Sequence, residues 1–115
     1  MAYSYLVLGA GRQGIAAAYD LARFGGASRI TLADFDGRQA QAAARRVNQL
    51  VHNSIATALE LDVRDENASR RALKGHDVAL SAVPYFYNLA LTKAAIETGV
   101  SFCDVRQLCR CLRHR

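Results

Sequence analysis

No stretch of this 115-residue chain reaches the roughly 18 consecutive apolar residues that a membrane-spanning helix requires. The amino terminus carries neither the positively charged segment nor the cleavage site of a secretory signal. A soluble, cytoplasmic protein with no membrane partner is expected. Proline occurs once, and there is no Pro/Ser-rich linker, low-complexity tract or repeat to divide the chain. With 51% hydrophobic residues, the length suits one domain with one core.

Acids are missing from the last ten residues, and this explains most of the net charge of +5. Residues 1–105 hold 11 Lys and Arg against 10 Asp and Glu, whereas Arg106, Arg110, Arg113 and Arg115 stand alone in the tail. A nucleic-acid surface spreads its basic residues over a face or helix with polar or aromatic readers, so no nucleic-acid partner is expected. Three cysteines, Cys103, Cys109 and Cys111, with His114 following, could be imagined as a zinc site, but their spacing matches none of the paired patterns that structural zinc favours. They are expected to be thiols in a reducing compartment, with no metal bound. His52 and His76 fall in polar, turn-like contexts and are expected at the surface.

Two hydrophobic periods alternate along the chain. Short apolar runs at 3–8, 29–33, 55–61, 77–82 and 100–104 predict five strands. The Ala-rich stretch 12–24 predicts a helix, and 37–51 places Ala40, Ala43, Ala44, Val47 and Leu50 on one helical face. Two further helices are predicted over 66–74, capped by Asp65, and over 86–98, closed by Gly99. Strands alternating with helices imply right-handed crossovers and an α/β doubly wound parallel sheet, a Rossmann fold with strand order 3-2-1-4-5. Ligands of such a sheet bind where the order reverses, between the first and fourth strands.

Gly9, Gly11 and Gly14 fall between the first strand and the first helix. The first permits a sharp exit from the strand, the second lets a pyrophosphate approach the backbone, and the third lets the helix lie close to the sheet. An acid about twenty residues on, Asp34 in "RITLADFD", completes a dinucleotide fingerprint. Its carboxylate can accept the adenosine ribose hydroxyls and would repel the 2′-phosphate of NADP, so NAD is the expected cofactor and NADP the less favoured one. Arg38, near the start of the second helix, could accommodate a 2′-phosphate, although an exposed helix position is the favoured expectation for it, and Asp36 is expected to cap that helix. Asp62 and Val63 close the third strand where an adenine ring would cross the sheet edge; a turn acid needing no ligand accounts for Asp62 equally. After the fourth strand, the small residues Ser81 and Ala82, then Val83 and Pro84, would let the nicotinamide half lie against the chain. Tyr85, Phe86 and Tyr87 are expected to pack at a helix entry.

Together, "SYLVLGAGRQG", "ADFD", "LDVRD" and "ALSAVPYFYNLALTKAAIETGVSFCDV" resemble the amino-terminal NAD(P)-binding domain of the saccharopine dehydrogenase and lysine 6-dehydrogenase family over residues 3–105. The resemblance implies that Gly9, Gly11, Arg12, Gln13 and Gly14 line the pyrophosphate. It likewise sets Asp34 at the ribose, Asp62 and Val63 at the adenine, and Ala82, Val83 and Pro84 on the nicotinamide side. It implies oxidoreductase chemistry on amino-acid carbon–nitrogen bonds, as in lysine metabolism. Relatives continue into a second domain that holds the substrate, whereas this chain runs into "RQLCRCLRHR". The expectation is therefore a cofactor-binding half with no appreciable turnover alone, its partner a separate substrate domain or a second copy. A stand-alone NAD-sensing module is the alternative, although such sensors carry Gly-Asp-Ala where this chain has Leu61-Asp62-Val63.

Residues 106–115 show no helical or strand period and are expected to be an unstructured tail. A shifted reading frame accounts for their composition: Arg106-Gln107-Leu108 can be encoded as CGG-CAA-CTN, which reads GGC-AAC one base later and gives the Gly-Asn turn of the relatives. On that expectation, deleting 106–115 leaves NAD affinity within about twofold, since no phosphate-binding group is assigned there.

Overall fold

Along β1 (Tyr3–Leu8), Tyr5 and Val7 enter one buried cluster while Leu6 and Leu8 enter another. A strand apolar on both faces must lie inside a sheet covered on both sides. In the computed structural model, which describes residues 2–84 and 87–104, β1 is indeed central. It is followed by α1 (Arg12–Phe24), β2 (Ala27–Asp34), α2 (Gly37–Val51), β3 (Ala56–Glu60), α3 (Glu66–Lys74), β4 (Val78–Ser81), α4 (Asn88–Thr98) and β5 (Ser101–Asp104). The sheet is wholly parallel in the order β3-β2-β1-β4-β5, as the alternation predicts.

Helices α1 and α2 cover one face through small residues, Gly14, Ala17, Ala18 and Leu21 from α1 and Ala40, Ala43, Ala44 and Val47 from α2. Leu50, assigned by periodicity to the same face, is 39% exposed near the end of α2 and not part of the buried cluster. Leu73 of α3 and Leu91, Ala94 and Ala95 of α4 pack the opposite face against Leu6, Leu8 and Ala79. Asp36 and Asp65 cap α2 and α3 as expected, accepting hydrogen bonds from the backbone N–H groups of Arg38 (3.0 Å) and Ala68 (3.1 Å). Exposed His52 ends α2 with a left-handed φ of 55°.

Register differs from the sequence prediction at strand ends, where hydrogen bonding to a neighbour, not apolarity, decides the boundary. β2 starts two residues earlier, at Ala27, which pairs with Tyr3, and reaches Asp34, which pairs with Glu60. β3 stops at Glu60, so Asp62 lies in the turn beyond the strand. His76 corrects the surface expectation: it is half-buried, with Nδ1 2.8 Å from the Ala72 carbonyl and Nε2 2.8 Å from the buried Thr31 hydroxyl. It thereby ties the end of α3 to β2, and burial pushes its pKa below the ordinary value of 6.5. The expectations for Tyr85 and Phe86, for the boundary at residue 105 and for the tail with Cys109 and Cys111 lie outside the described residues.

Candidate functional site

Register places Leu8 level with Ala33 on one side and with Ser81 on the other, so three strands end together. Ladder bonds continue one residue further, from Gly9 N–H to the Ala33 carbonyl and from Ala82 N–H to the Leu8 carbonyl, both at 2.7 Å. The order reverses at this point, and a cleft of about 540 Å³ opens there. Eight of the predicted site residues line it: Gly9, Gly11, Asp34, Asp62, Val63, Ala82, Val83 and Pro84. Arg12 and Gln13 lie outside that lining, exposed on the first turn of α1.

The three glycines have separable reasons. Gly9 has φ +103°, and a Cβ there would stand 2.9 Å from the Ala82 carbonyl oxygen, so only glycine makes this exit from β1. At Gly14, buried under the loop, a Cβ would stand 1.9 Å from the Gly9 oxygen; the third glycine serves close packing of α1 and does not line the cleft. Gly11 differs. A Cβ there would meet nothing nearer than the Gln39 amide at 3.9 Å, so the protein itself does not require glycine. The space a side chain would fill opens on the cleft at the start of α1, whose first turn has neither a side-chain cap nor an acid. Unpaired N–H groups and the positive end of the helix dipole remain for an anion, which fits a dinucleotide pyrophosphate.

Asp34 does more than the sequence reading assigned to it. One carboxylate oxygen accepts the Ala10 N–H at 2.8 Å and the other the Asp36 N–H at 2.9 Å, so the acid joins the glycine loop to the end of β2. Each carboxylate oxygen retains a further lone pair, so ribose hydroxyls can still be accepted from a side chain already fixed in place.

Sequence reasoning missed Phe35, Leu61, Arg64 and Tyr87 in the lining. Arg64 is the most consequential. Its backbone N–H and Nε donate to Asp62 Oδ1 at 2.9 and 3.0 Å, its terminal nitrogen reaches Oδ2 at 3.0 Å, and its guanidinium sits 5.5 Å from the Phe35 ring centroid. These hydrogen bonds hold the Asp62 carboxyl below the usual carboxylate range and raise the arginine in turn. No spacing rule links residues 35 and 64; only the pairing of β2 with β3 brings their loops together.

The description "Saccharopine dehydrogenase NADP binding domain" belongs to a family model that matches residues 5–114, almost the whole chain. The chain belongs to this family. Saccharopine dehydrogenase [NADP(+), L-glutamate-forming] of Schizosaccharomyces pombe is 44% identical over 46 residues, covering 40% of this chain and 10% of the relative. Apo saccharopine dehydrogenase (L-Glu forming) from Saccharomyces cerevisiae superposes with a TM-score of 0.73 at 28% identity, over 89% of this chain and 21% of that one. Quinate dehydrogenase from Corynebacterium glutamicum, solved in complex with NAD, aligns with a TM-score of 0.59 at 30% identity over 70% of this chain and 27% of that one. The chain thus spans about a fifth of the yeast enzyme's length. As a member of the family it is a nicotinamide dinucleotide-binding domain of the saccharopine dehydrogenase type. Among the described residues, no helix is long and apolar enough to cross a membrane.

Proposed function

We propose that the cleft holds the dinucleotide of a saccharopine dehydrogenase-like oxidoreductase acting on amino-acid carbon–nitrogen bonds, with NAD favoured over NADP. The observation that carries the reading is the open space beside Gly11, at the uncapped start of α1 and level with the end of β2. In it, the pyrophosphate lies against the backbone of the loop from Gly9 to Gly11 and the start of α1, with Arg12 and Gln13 on its exposed side and Gly14 letting the helix approach the sheet. The ribose hydroxyls donate to Asp34, the adenine lies beside Asp62 and Val63, and the nicotinamide half lies along Ala82, Val83 and Pro84. The bound nicotinamide supplies hydride transfer; these residues bind and orient it. A separate substrate domain or a second copy completes the enzyme, a reading supported by Leu89 and Ile96, which are 84% and 75% exposed on α4. A cytoplasmic setting belongs to the same reading.

Titration calorimetry with both cofactors tests the proposal. NAD should bind more tightly than NADP. Asp34→Ala should narrow the gap, because a lost charged hydrogen bond and a lost repulsion, each on the order of 1–3 kcal/mol, act in the same direction. The variant should also weaken both cofactors, since the Ala10 and Asp36 amides lose their acceptor. Equal affinity of the unaltered chain for NAD and NADP would overturn the preference.

A further inference from the structure

Among the described residues that line the cleft, one is a cation, and it is not the arginine that sequence proximity suggests. Arg38 is exposed on the first turn of α2, its N–H bonded to Asp36, and does not line the cleft. Arg64, contributed by the turn after β3, does line it, over the ring of Phe35, the residue that directly follows Asp34. We propose that Arg64 is the residue that admits a 2′-phosphorylated dinucleotide, so that cofactor selectivity is set by two opposed charges, Asp34 against and Arg64 for. This inference rests on the cleft being the dinucleotide site.

Three features suit Arg64 to that task. Guanidinium is the side-chain group best matched to a phosphate, since its planar fork offers paired N–H donors. Asp62 binds it through Nε and one terminal nitrogen, which fixes the plane while leaving the remaining N–H groups available. Phe35, 65% exposed, lies against the guanidinium and further limits its orientation. A 2′-phosphate beside Asp34 would therefore meet a cation already oriented and not a freely rotating side chain. The arginine side chain is 65% exposed, so a phosphate can reach the N–H groups that Asp62 leaves unused without breaking the ion pair. A ligand lacking the 2′-phosphate offers that guanidinium no paired phosphate oxygens at the end of β2, so the effect of Arg64 falls mainly on the phosphorylated cofactor.

The test uses the full 115-residue chain and titration calorimetry with NAD, NADP, AMP and adenosine 2′,5′-bisphosphate, the last two isolating the adenosine half. Arg64→Gln should lower affinity for NADP and for the bisphosphate about fivefold or more, with NAD and AMP changing less than about twofold. Arg64→Lys should recover part of the loss, and Arg38→Gln should leave the NADP-to-NAD ratio unchanged. Unaltered melting temperatures would establish that the variants are folded. The inference is overturned if Arg64→Gln weakens both cofactors equally or neither, if Arg38→Gln takes the NADP-specific loss, or if the unaltered chain binds NAD but not NADP. Failure of the unaltered chain to bind any of the four ligands would instead overturn the reading of the cleft itself, and this inference with it.

Discussion

At the residue scale, Gly11 and Gly14 look interchangeable in the motif yet answer to different forces. A methyl group at Gly14 would overlap the Gly9 carbonyl, a backbone atom that cannot move without shifting the exit from β1. Gly14→Ala is expected to cost about 3 kcal/mol of stability or more. A methyl group at Gly11 meets no protein atom within 3.9 Å, so Gly11→Ala should melt within a few degrees of the unaltered chain. It should still bind dinucleotide at least tenfold more weakly, on the order of 1.4 kcal/mol, because the methyl occupies the phosphate's approach. Thermal denaturation and NAD titration of the two variants separate these roles. His76 offers a second test. Its folded pKa lies below the unfolded value of 6.5, so the unfolded chain binds more protons and the contribution of the neutral ring is complete above pH 6.5. Stability should fall as pH drops from 6.5 through the folded value, and this step should shrink in His76→Gln when denaturant midpoints are followed against pH.

At the element scale, two side-chain amides do work that backbone ladders leave undone. Asn48, in the last turn of α2, donates to the Ala56 carbonyl at 3.0 Å and accepts the Ala56 N–H at 2.8 Å, fixing where β3 begins. Replacement by Ala removes both bonds from a largely buried backbone unit and should cost about 2 kcal/mol, measured by denaturant unfolding. Because β3 leads directly to Asp62 and Arg64, the same variant should also weaken NADP relative to NAD. On the other side, Asn88 opens α4 by accepting the Ser81 hydroxyl and donating to Asp104, both at 2.6 Å. That chain links the ends of β4 and β5 to the helix between them, and Ser81, only 1% exposed, has its hydroxyl satisfied there.

At the scale of the whole molecule, the cleft belongs to the junction of two packing layers and to neither alone. The α1–α2 layer brings the glycine loop, the α3–α4 layer brings Val63 and Val83, and β1 is shared by both. A ligand seated there touches residues from both layers and stabilises the folded chain by mass action. At a concentration a hundred times its dissociation constant, NAD should add about 2.7 kcal/mol and raise the melting temperature on the order of 10 °C. Scanning calorimetry with and without NAD checks this, and Gly11→Ala at the same NAD concentration should show a smaller rise.

Local sequence was sufficient for whatever depends on period and spacing. The alternation of apolar runs with helical faces pointed to the parallel sheet, and crossovers of one hand left few strand orders, of which the observed β3-β2-β1-β4-β5 is the one expected beside a glycine fingerprint after the first strand. The glycine spacing and the acid at 34 marked the loop and the strand end that meet at the cleft. Strand boundaries were less legible, since pairing partners distant in sequence extend β2 to Ala27 and end β3 at Glu60. Side-chain partnerships across the sheet were not legible at all. His76 reaching Thr31, Asp34 holding the Ala10 amide and Arg64 lying over Phe35 join residues 45, 24 and 29 positions apart. Apolar periodicity is written into neighbouring residues, but a charged or polar side chain chooses its partner from whatever the folded sheet brings within reach, and only tertiary structure makes that choice.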